Sequence, residues 1–172
     1  MNNINIIEGD ITQLSVDALV NAANPQMLGG GGADGAIHRA AGPKLLEECR
    51  KVKVSNGIRC PFGEARITKA GDLGCRYVIH TAGPIYRNES DPQQVLSSSY
   101  SNSLGLAKEA GCSSIAFPAI SCGVYGYPAE EAARVALGVC SESEFATLDI
   151  TFCLFGSRML SIWHVYDEFS NQ

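Results

Sequence analysis

"NAANPQMLGGGGADGAIHRAAG", Asn21 to Gly42, is the stretch on which the fold turns. Four consecutive glycines, Gly29 to Gly32, separate a strand-like apolar run from a helix-like run, and Asp34 follows almost at once. Glycine loses more backbone entropy on folding than any other residue. Four in a row therefore imply that something approaches the main chain too closely for side chains. Strand, glycine loop and helix together are the unit of an open α/β sheet, in which ligands bind beyond the carboxyl ends of the strands.

The same alternation continues on both sides. "INIIEG" and "DALVNAA" read as short strands, and from Gly35 a helical stripe runs through Ile37, Ala41, Leu45, Cys49 and Val52. A strand is expected around Ala65–Thr68, and "RYVIHTAG" reads as a buried strand. Asp91-Pro92 marks an N-cap followed by proline at the first helical position, with Leu96, Tyr100, Leu104 and Ala107 on one stripe behind it. "SSIAFPAI" is a strand, Pro128 opens a helix through Ala132, Val135 and Val139, and "LDITFCLF" and "SRMLSIWHVYDEF" read as a last strand and helix. Such alternation predicts an α/β protein with helices on both faces of a mostly parallel or mixed sheet. A second glycine-bearing loop, "SCGVYGYP" (Ser121–Pro128), also lies between a strand and a helix. At the same end of one sheet, the two loops form one crevice.

With 172 residues the chain fits one domain, residues 1–172. The net charge of −5 argues against a nucleic-acid backbone as main partner. No apolar run approaches a membrane span, and "MNNINIIEGD" has no basic or long apolar leader, so a cytoplasmic protein is expected. The seven cysteines are odd in number and widely spaced, with no C-x-x-C pair, which reads as reduced, mostly buried thiols with no metal site.

Backbone N–H groups of tight glycine turns beside helix N-termini make an anion site. Neither loop contains Lys or Arg, so main-chain donors would hold a phosphate almost alone. Gly30-x-Gly32-x-x-Gly35 matches the G-x-G-x-x-G dinucleotide fingerprint, but the acidic residues that should follow, Glu47 and Glu48, come too early and inside the predicted helix. The Rossmann reading therefore fails.

Taken in order, "GDIT" (Gly9–Thr12), "VNAANP" (Val20–Pro25), "GGGGADGAIHRAAG" (Gly29–Gly42) and "PAISCGVYGYP" (Pro118–Pro128) resemble a macrodomain of the MacroD-type O-acetyl-ADP-ribose deacetylases of bacteria. The resemblance covers nearly the whole chain. It implies a three-layer α/β/α fold around a central mixed sheet, with ADP-ribose in a cleft at its crest. By motif position it implies that Asp10 takes the adenine amino group and that the Ile11 backbone N–H meets the adenine ring. Asn24 would bond the distal ribose, and Asp34 would face that ribose and its scissile bond; Asn21 is as well suited to a supporting role as to ligand contact. Gly31 and Gly32 would admit the ligand, and Ser121, Cys122, Gly123, Val124, Tyr125 and Gly126 would form the phosphate-binding segment, Tyr125 covering the distal ribose. Phe155 would pack on adenine.

Each residue also has a plainer use. Asp10 fits an exposed turn, Asn24 a turn before Pro25, Asp34 the N-cap of the long helix and Phe155 the core. As an N-cap anion, Asp34 would be a weak base that orients water more than it deprotonates it. His38, four residues on, shares its helix face, while His80 and His164 have no evident partner and read as structural. Three departures from the family pattern stand out: Cys122 where threonine is common, Gly156 where an aspartate often stands, and Trp163 where tyrosine is common. No base beside Cys122 supports a thiol nucleophile.

The expected function is hydrolysis of O-acetyl-ADP-ribose, with removal of mono-ADP-ribose from acidic protein side chains as a second activity, Asp34 and Asn24 carrying the chemistry and no cofactor required. The competing readings are a module that binds ADP-ribose without cleaving it and a regulatory protein that works by contacting another protein.

Overall fold

The computed structural model describes residues 3–170; the outermost residues of the expected 1–172 domain, and the side chains from 168 onward, lie outside what is described. Six strands form one sheet: β1 (Asn3–Glu8), β2 (Ala18–Ala22), β3 (Ala65–Lys69), β4 (Tyr77–Thr81), β5 (Ser114–Phe117) and β6 (Asp149–Leu154). Their order is β1-β6-β5-β2-β4-β3. All neighbours are parallel except β3, which runs antiparallel to β4 at the edge. The expected mixed sheet is the one observed.

Parallel strands buried on both faces carry apolar side chains on both. In β2, Ala18 and Val20 enter one core while Leu19 enters the other; in β5, Ile115 and Phe117 oppose Ala116. One face is covered by α1 (Gly32–Ala41) and α2 (Pro43–Arg50), through Ile37, Ala41, Leu45 and Cys49. The other is covered by α3 (Pro92–Glu109), α4 (Ala129–Cys140) and α5 (Ser157–Ser170). Its centre is an aromatic run: Tyr100 lies 5.0 Å from Phe117, Phe117 5.7 Å from Phe152, and Phe152 6.2 Å from Trp163. The three layers follow.

Local chemistry sets the ends of the helices. Asp91 accepts the Gln94 backbone N–H at 3.2 Å and Pro92 starts α3, as the dipeptide predicts. The single helical stripe from Gly35 is in fact two helices. It breaks at Gly42, whose φ of +74° is a left-handed conformation that glycine tolerates, and Pro43 starts the second. α1 also begins three residues earlier than its apolar stripe suggests, at Gly32. Asp34 is therefore not the N-cap. Gly31 is, and Asp34 sits inside the first turn.

Five parallel strands end on one edge of the sheet. The segments after β1, β2, β5 and β6 there carry the residues singled out in the sequence. Among the described residues no helix is long and apolar enough to cross a membrane.

Candidate functional site

The glycine loop after β2 and the loop after β5 face each other across adjacent strands, because β2 pairs directly with β5. Between them lies a cleft with two lobes. One, of about 360 Å³, is lined by Asn24, Gly30 to Asp34, Gly83, Ser121 and Gly123 to Tyr125. The other, of about 650 Å³, is lined by Asp10, Ile11, Ala36, Arg39, Cys122, Cys153, Phe155, Arg158 and Met159. Gly32, Ala33, Pro118, Ala119 and Gly123 line both, so the lobes are continuous. A separate hollow of about 550 Å³ between α3 and α4 includes Asp91, Glu131 and Glu142 and none of the expected site residues.

The four glycines serve different ends. Gly29 and Gly32 have φ of +97° and +56°. A Cβ on Gly30 would stand 3.0 Å from the Asp34 carboxylate, whereas one on Gly31 would meet nothing within 4 Å and would project into open space. Only part of the run keeps main chain bare for a ligand; the rest shapes the turn and makes room for Asp34. Because Gly31 caps α1 with no side-chain hydrogen bond, the first-turn N–H groups of Gly32, Ala33 and Asp34, which have no partner within a helix, point to the cleft end. That is an anion-binding arrangement.

In the first lobe Asp34 is 4% exposed. Asn21 Nδ2 donates to its Oδ1 at 2.8 Å, and His38 Nε2 stands 3.4 Å from the same oxygen. Burial raises the Asp34 carboxyl above its ordinary value, against the Asn21 hydrogen bond and the His38 charge, which pull it down. This corrects the expectation of a helix-stabilised weak base: within a buried first turn, desolvation outweighs the helix end. Asn21 is fully buried and reaches Asp34 from beneath, so it supports the carboxylate and does not face the cleft.

Asn24 is tied into its own turn. Its Oδ1 accepts the Met27 N–H at 3.1 Å and its Nδ2 donates to Gly29 O at 3.2 Å, leaving one amide hydrogen uncommitted. The turn use foreseen from Pro25 is realised, and the same residue lines the lobe.

The second loop is held tightly. Ser121 adopts φ of +67° and donates its hydroxyl to Pro84 O at 2.7 Å. Gly83 permits this, since a Cβ there would lie 2.4 Å from Ser121 Oγ. Such local strain at a cleft is held by its surroundings. Tyr125 is half-buried and meets Phe62 edge-on at 6.4 Å; burial and the nearby Asp34 charge raise its phenol. Burial and the Glu130 charge push the Cys122 thiol up to about 12, which leaves it protonated and a poor nucleophile.

At the second lobe Asp10 is exposed, and its Oδ1 accepts from both the backbone and the hydroxyl of Thr12, which holds its carboxyl below the ordinary value. It caps a short turn, Ile11–Gln13, and its second oxygen remains available to the lobe. Phe155 is 90% exposed and Val124 96% exposed. Large apolar side chains so bare on the two walls of a cleft mark a binding surface; the core alternative for Phe155 is excluded. Trp163 is fully buried against Phe152 and lies away from the cleft, and Gly156 adopts φ of +97°, a reason of its own for glycine.

Several lining residues escape sequence reading. Arg39 near the end of α1 and Arg158 at the start of α5 bring cations to the second lobe although neither loop has one. Gly83 lines the first lobe, and behind the lining stand Phe62, against Tyr125, and the buried His80, against Asn21; all three come from segments around β3 and β4, far from either glycine motif in sequence. Among the described residues no group of three or more His, Cys, Asp or Glu is placed to hold a metal ion.

Fold and cleft define an α/β/α domain with a two-lobed cleft at the strand ends and, at its waist, a helix N-terminus without a side-chain cap. The Macro domain family model matches residues 20–136, and the chain belongs to that family. It is 62% identical over 163 residues to a macro domain-containing protein of Vibrio parahaemolyticus, covering 95% of this chain and 96% of that one. It is 54% identical over 140 residues to the O-acetyl-ADP-ribose deacetylase of Escherichia coli, covering 81% of this chain and 78% of that one. A solved macrodomain of Oceanobacillus iheyensis with ADP superposes with a TM-score of 0.93 at 42% identity, over 99% of this chain and 92% of that one.

Proposed function

We propose that the chain binds ADP-ribose in the two-lobed cleft and hydrolyses the acetyl ester of O-acetyl-ADP-ribose. The observation that carries this reading is Asp34: a carboxylate buried in the wall of the cleft, held by a hydrogen bond from below and raised in proton affinity. A module that only grips ADP-ribose has no use for such a group. The naming of an Escherichia coli relative as the deacetylase, and of ADP with an Oceanobacillus iheyensis neighbour, agrees with it.

In this reading adenine lies in the larger lobe between Phe155 and the Asp10–Ile11 turn. The diphosphate crosses the shared waist on the N–H groups of the α1 first turn and of the Ser121–Gly126 loop, with Cys122, Gly123 and Val124 contributing main chain. The distal ribose reaches Asn24, Gly31, Gly32 and Tyr125. Asp34 then holds a water against the acetyl carbonyl. The water adds to the carbonyl carbon and passes a proton to the carboxylate, and the tetrahedral intermediate expels the ribose oxygen, which takes the proton. Acetate and ADP-ribose result. An acidic side chain esterified to the same ribose offers the same bond, so mono-ADP-ribosylated proteins are the second substrate class.

We also read residues 1–172 as one macro domain, since one sheet with two covering layers accounts for every described element. All seven cysteines are free, in keeping with the reducing cytoplasm of a bacterium.

The deciding measurement is acetate release from O-acetyl-ADP-ribose by the wild type and by Asp34→Ala, with ADP-ribose binding measured for both. Turnover by the wild type, with a variant that binds but is slowed by roughly 100-fold or more, is the expected result. A wild type that binds ADP-ribose and releases no acetate would overturn the deacetylase reading in favour of a binding module.

A further inference from the structure

Behind Asp34 lies a line of buried polar groups that the proposed reaction does not use. Asn21 Nδ2, which donates to Asp34 Oδ1 at 2.8 Å, also lies 3.2 Å from His80 Nδ1. His80 Nε2 in turn lies 3.0 Å from Thr68 Oγ1, and that hydroxyl donates to Lys69 O at 3.0 Å. Asn21 and His80 are fully buried, Asp34 and Thr68 nearly so.

With Asp34 ionised and the Thr68 hydroxyl donating to Lys69 O, the donors and acceptors admit one assignment, in which Asn21 Oδ1 stays buried without a partner. Thr68 spends its hydrogen on Lys69 O, so it can only accept from His80, and Nε2 must carry the ring proton. Nδ1 is then bare and accepts one Asn21 N–H, while the other Asn21 N–H goes to Asp34. A turned amide would set Asn21 Oδ1 against two acceptors at once, the carboxylate and the bare Nδ1. We propose that His80, with its tautomer fixed by Thr68, is a positioning residue that locks the Asn21 amide and through it holds the Asp34 carboxylate. With Oδ1 tied back by Asn21 and His38 Nε2 3.4 Å from it, Oδ2 is the oxygen left for the water. This rests on the role assigned to Asp34 above.

The surroundings agree. Burial, with the His38 charge, lowers the His80 imidazole to about 3, so the ring stays neutral. The Cys49 thiol, 3.7 Å from Nε2, is pushed up to about 11 and is also neutral. The other groups that face Asp34 are His38 of α1, Tyr125 of the second loop and, by charge, Cys49 of α2.

The test uses Thr68→Val and Thr68→Ser. Valine cannot accept from Nε2–H, which frees the ring to take the other tautomer and Asn21 to turn. Asp34 then loses a hydrogen bond that favours its anion. The titration of the Asp34 carboxyl, followed by carbon NMR, is expected to move to higher pH in Thr68→Val. The acid limb of kcat should move with it, kcat on that limb falling about five- to tenfold with KM and ADP-ribose affinity within about twofold. Thr68→Ser should restore both. Nitrogen NMR of the wild-type imidazole, which needs no variant to fold, should give a neutral ring protonated at Nε2 from about pH 5 to pH 8. An Asp34 titration and acid limb unmoved in folded Thr68→Val would overturn the proposal, as would a His80 ring that is charged or protonated at Nδ1. If the wild type releases no acetate while the Asp34 titration still responds to Thr68→Val, the hydrolase reading falls and the coupling of His80 to Asp34 stands.

Discussion

Asp34 sits under opposed influences. The first turn of α1, the Asn21 hydrogen bond and the neighbouring His38 favour its anion, while burial disfavours it and wins. A consequence for stability follows with a definite sign. Between the ordinary carboxyl value of 3.8 and the raised value in the fold, the folded chain binds more protons than the unfolded one. Stability therefore falls as pH rises through that window, and the penalty is complete only above the raised value. Asp34→Asn keeps an oxygen to accept from Asn21 but cannot ionise. It is expected to unfold at higher urea than the wild type at pH 7, the advantage vanishing as pH falls below 3.8, while acetate release drops by roughly 100-fold or more. Paired urea curves across pH, alongside the acetate assay, check this; a variant less stable at neutral pH would mean that the carboxylate is better solvated than its burial implies. Asp34 could be picked out from the sequence because it follows a glycine run that few folds need. Its support could not. Asn21 and His80 are 59 residues apart and meet only because β2 and β4 pair in register, Asn21 beside His80.

At the scale of elements, the glycines of α1 and its loop separate ordinary helix glycines from one with a fixed neighbour. Glycine inside a helix is ordinarily worse than alanine by up to about 1 kcal/mol. Gly105, exposed within α3, has nothing within 4 Å of an added Cβ, so Gly105→Ala should stabilise by about 0.5–1 kcal/mol. Gly35 in α1 is different. An added Cβ would lie 2.7 Å from the carbonyl oxygen of Gly30, a backbone atom that can move only with the loop. Steric strain of about 1–3 kcal/mol exceeds the helix gain, so Gly35→Ala should destabilise and weaken ADP-ribose binding, because the displaced loop is the cleft wall. Thermal midpoints and binding of the two variants side by side decide it; equal stabilisation by both would show that the loop yields freely. The order of strands and helices was readable here because hydrophobic periodicity switches clearly from segment to segment. The helix start was not, since Gly32, Ala33 and Asp34 carry no apolar stripe. The break at Gly42 hid beneath a stripe that continues across it, although Gly42-Pro43 is itself a stop followed by a start.

For the molecule as a whole, the sheet gathers the ends of five strands on one edge, while a net charge of −5 gives no general attraction for an anionic ligand. Binding should therefore rest on fixed main-chain dipoles, with Arg39 and Arg158 as the only cations lining the described cleft. ADP-ribose affinity is expected to change only a few-fold between about 50 and 500 mM salt, and a loss of tenfold or more, measured calorimetrically, would assign the phosphates to side-chain charge. The cleft walls were legible because glycine motifs announce them. These arginines were not, because they belong to helices that the fold brings alongside. His80 ties the site to the stability of the whole sheet. It lies in β4, between β2 and β3, with a folded value of about 3 against an ordinary 6.5. The unfolded chain takes up its proton first as pH falls. The stability that the neutral ring contributes is thus fully present above 6.5 and is lost progressively toward about 3. A comparison of the wild type with a variant that differs only at His80 cancels the carboxylates, the raised Asp34 included, and the other two histidines, so the upper part of that window isolates His80. His80→Gln, which keeps an acceptor for Asn21 and a donor for Thr68, removes the titration while leaving the hydrogen-bonded line in place. Between about pH 6 and pH 5 the wild type should lose stability relative to this variant at a rate approaching about 1.4 kcal/mol per pH unit, the value for one proton. Parallel curves for the two proteins would mean that the ring is protonated in the fold as readily as outside it, and that the buried line behind Asp34 is open to water.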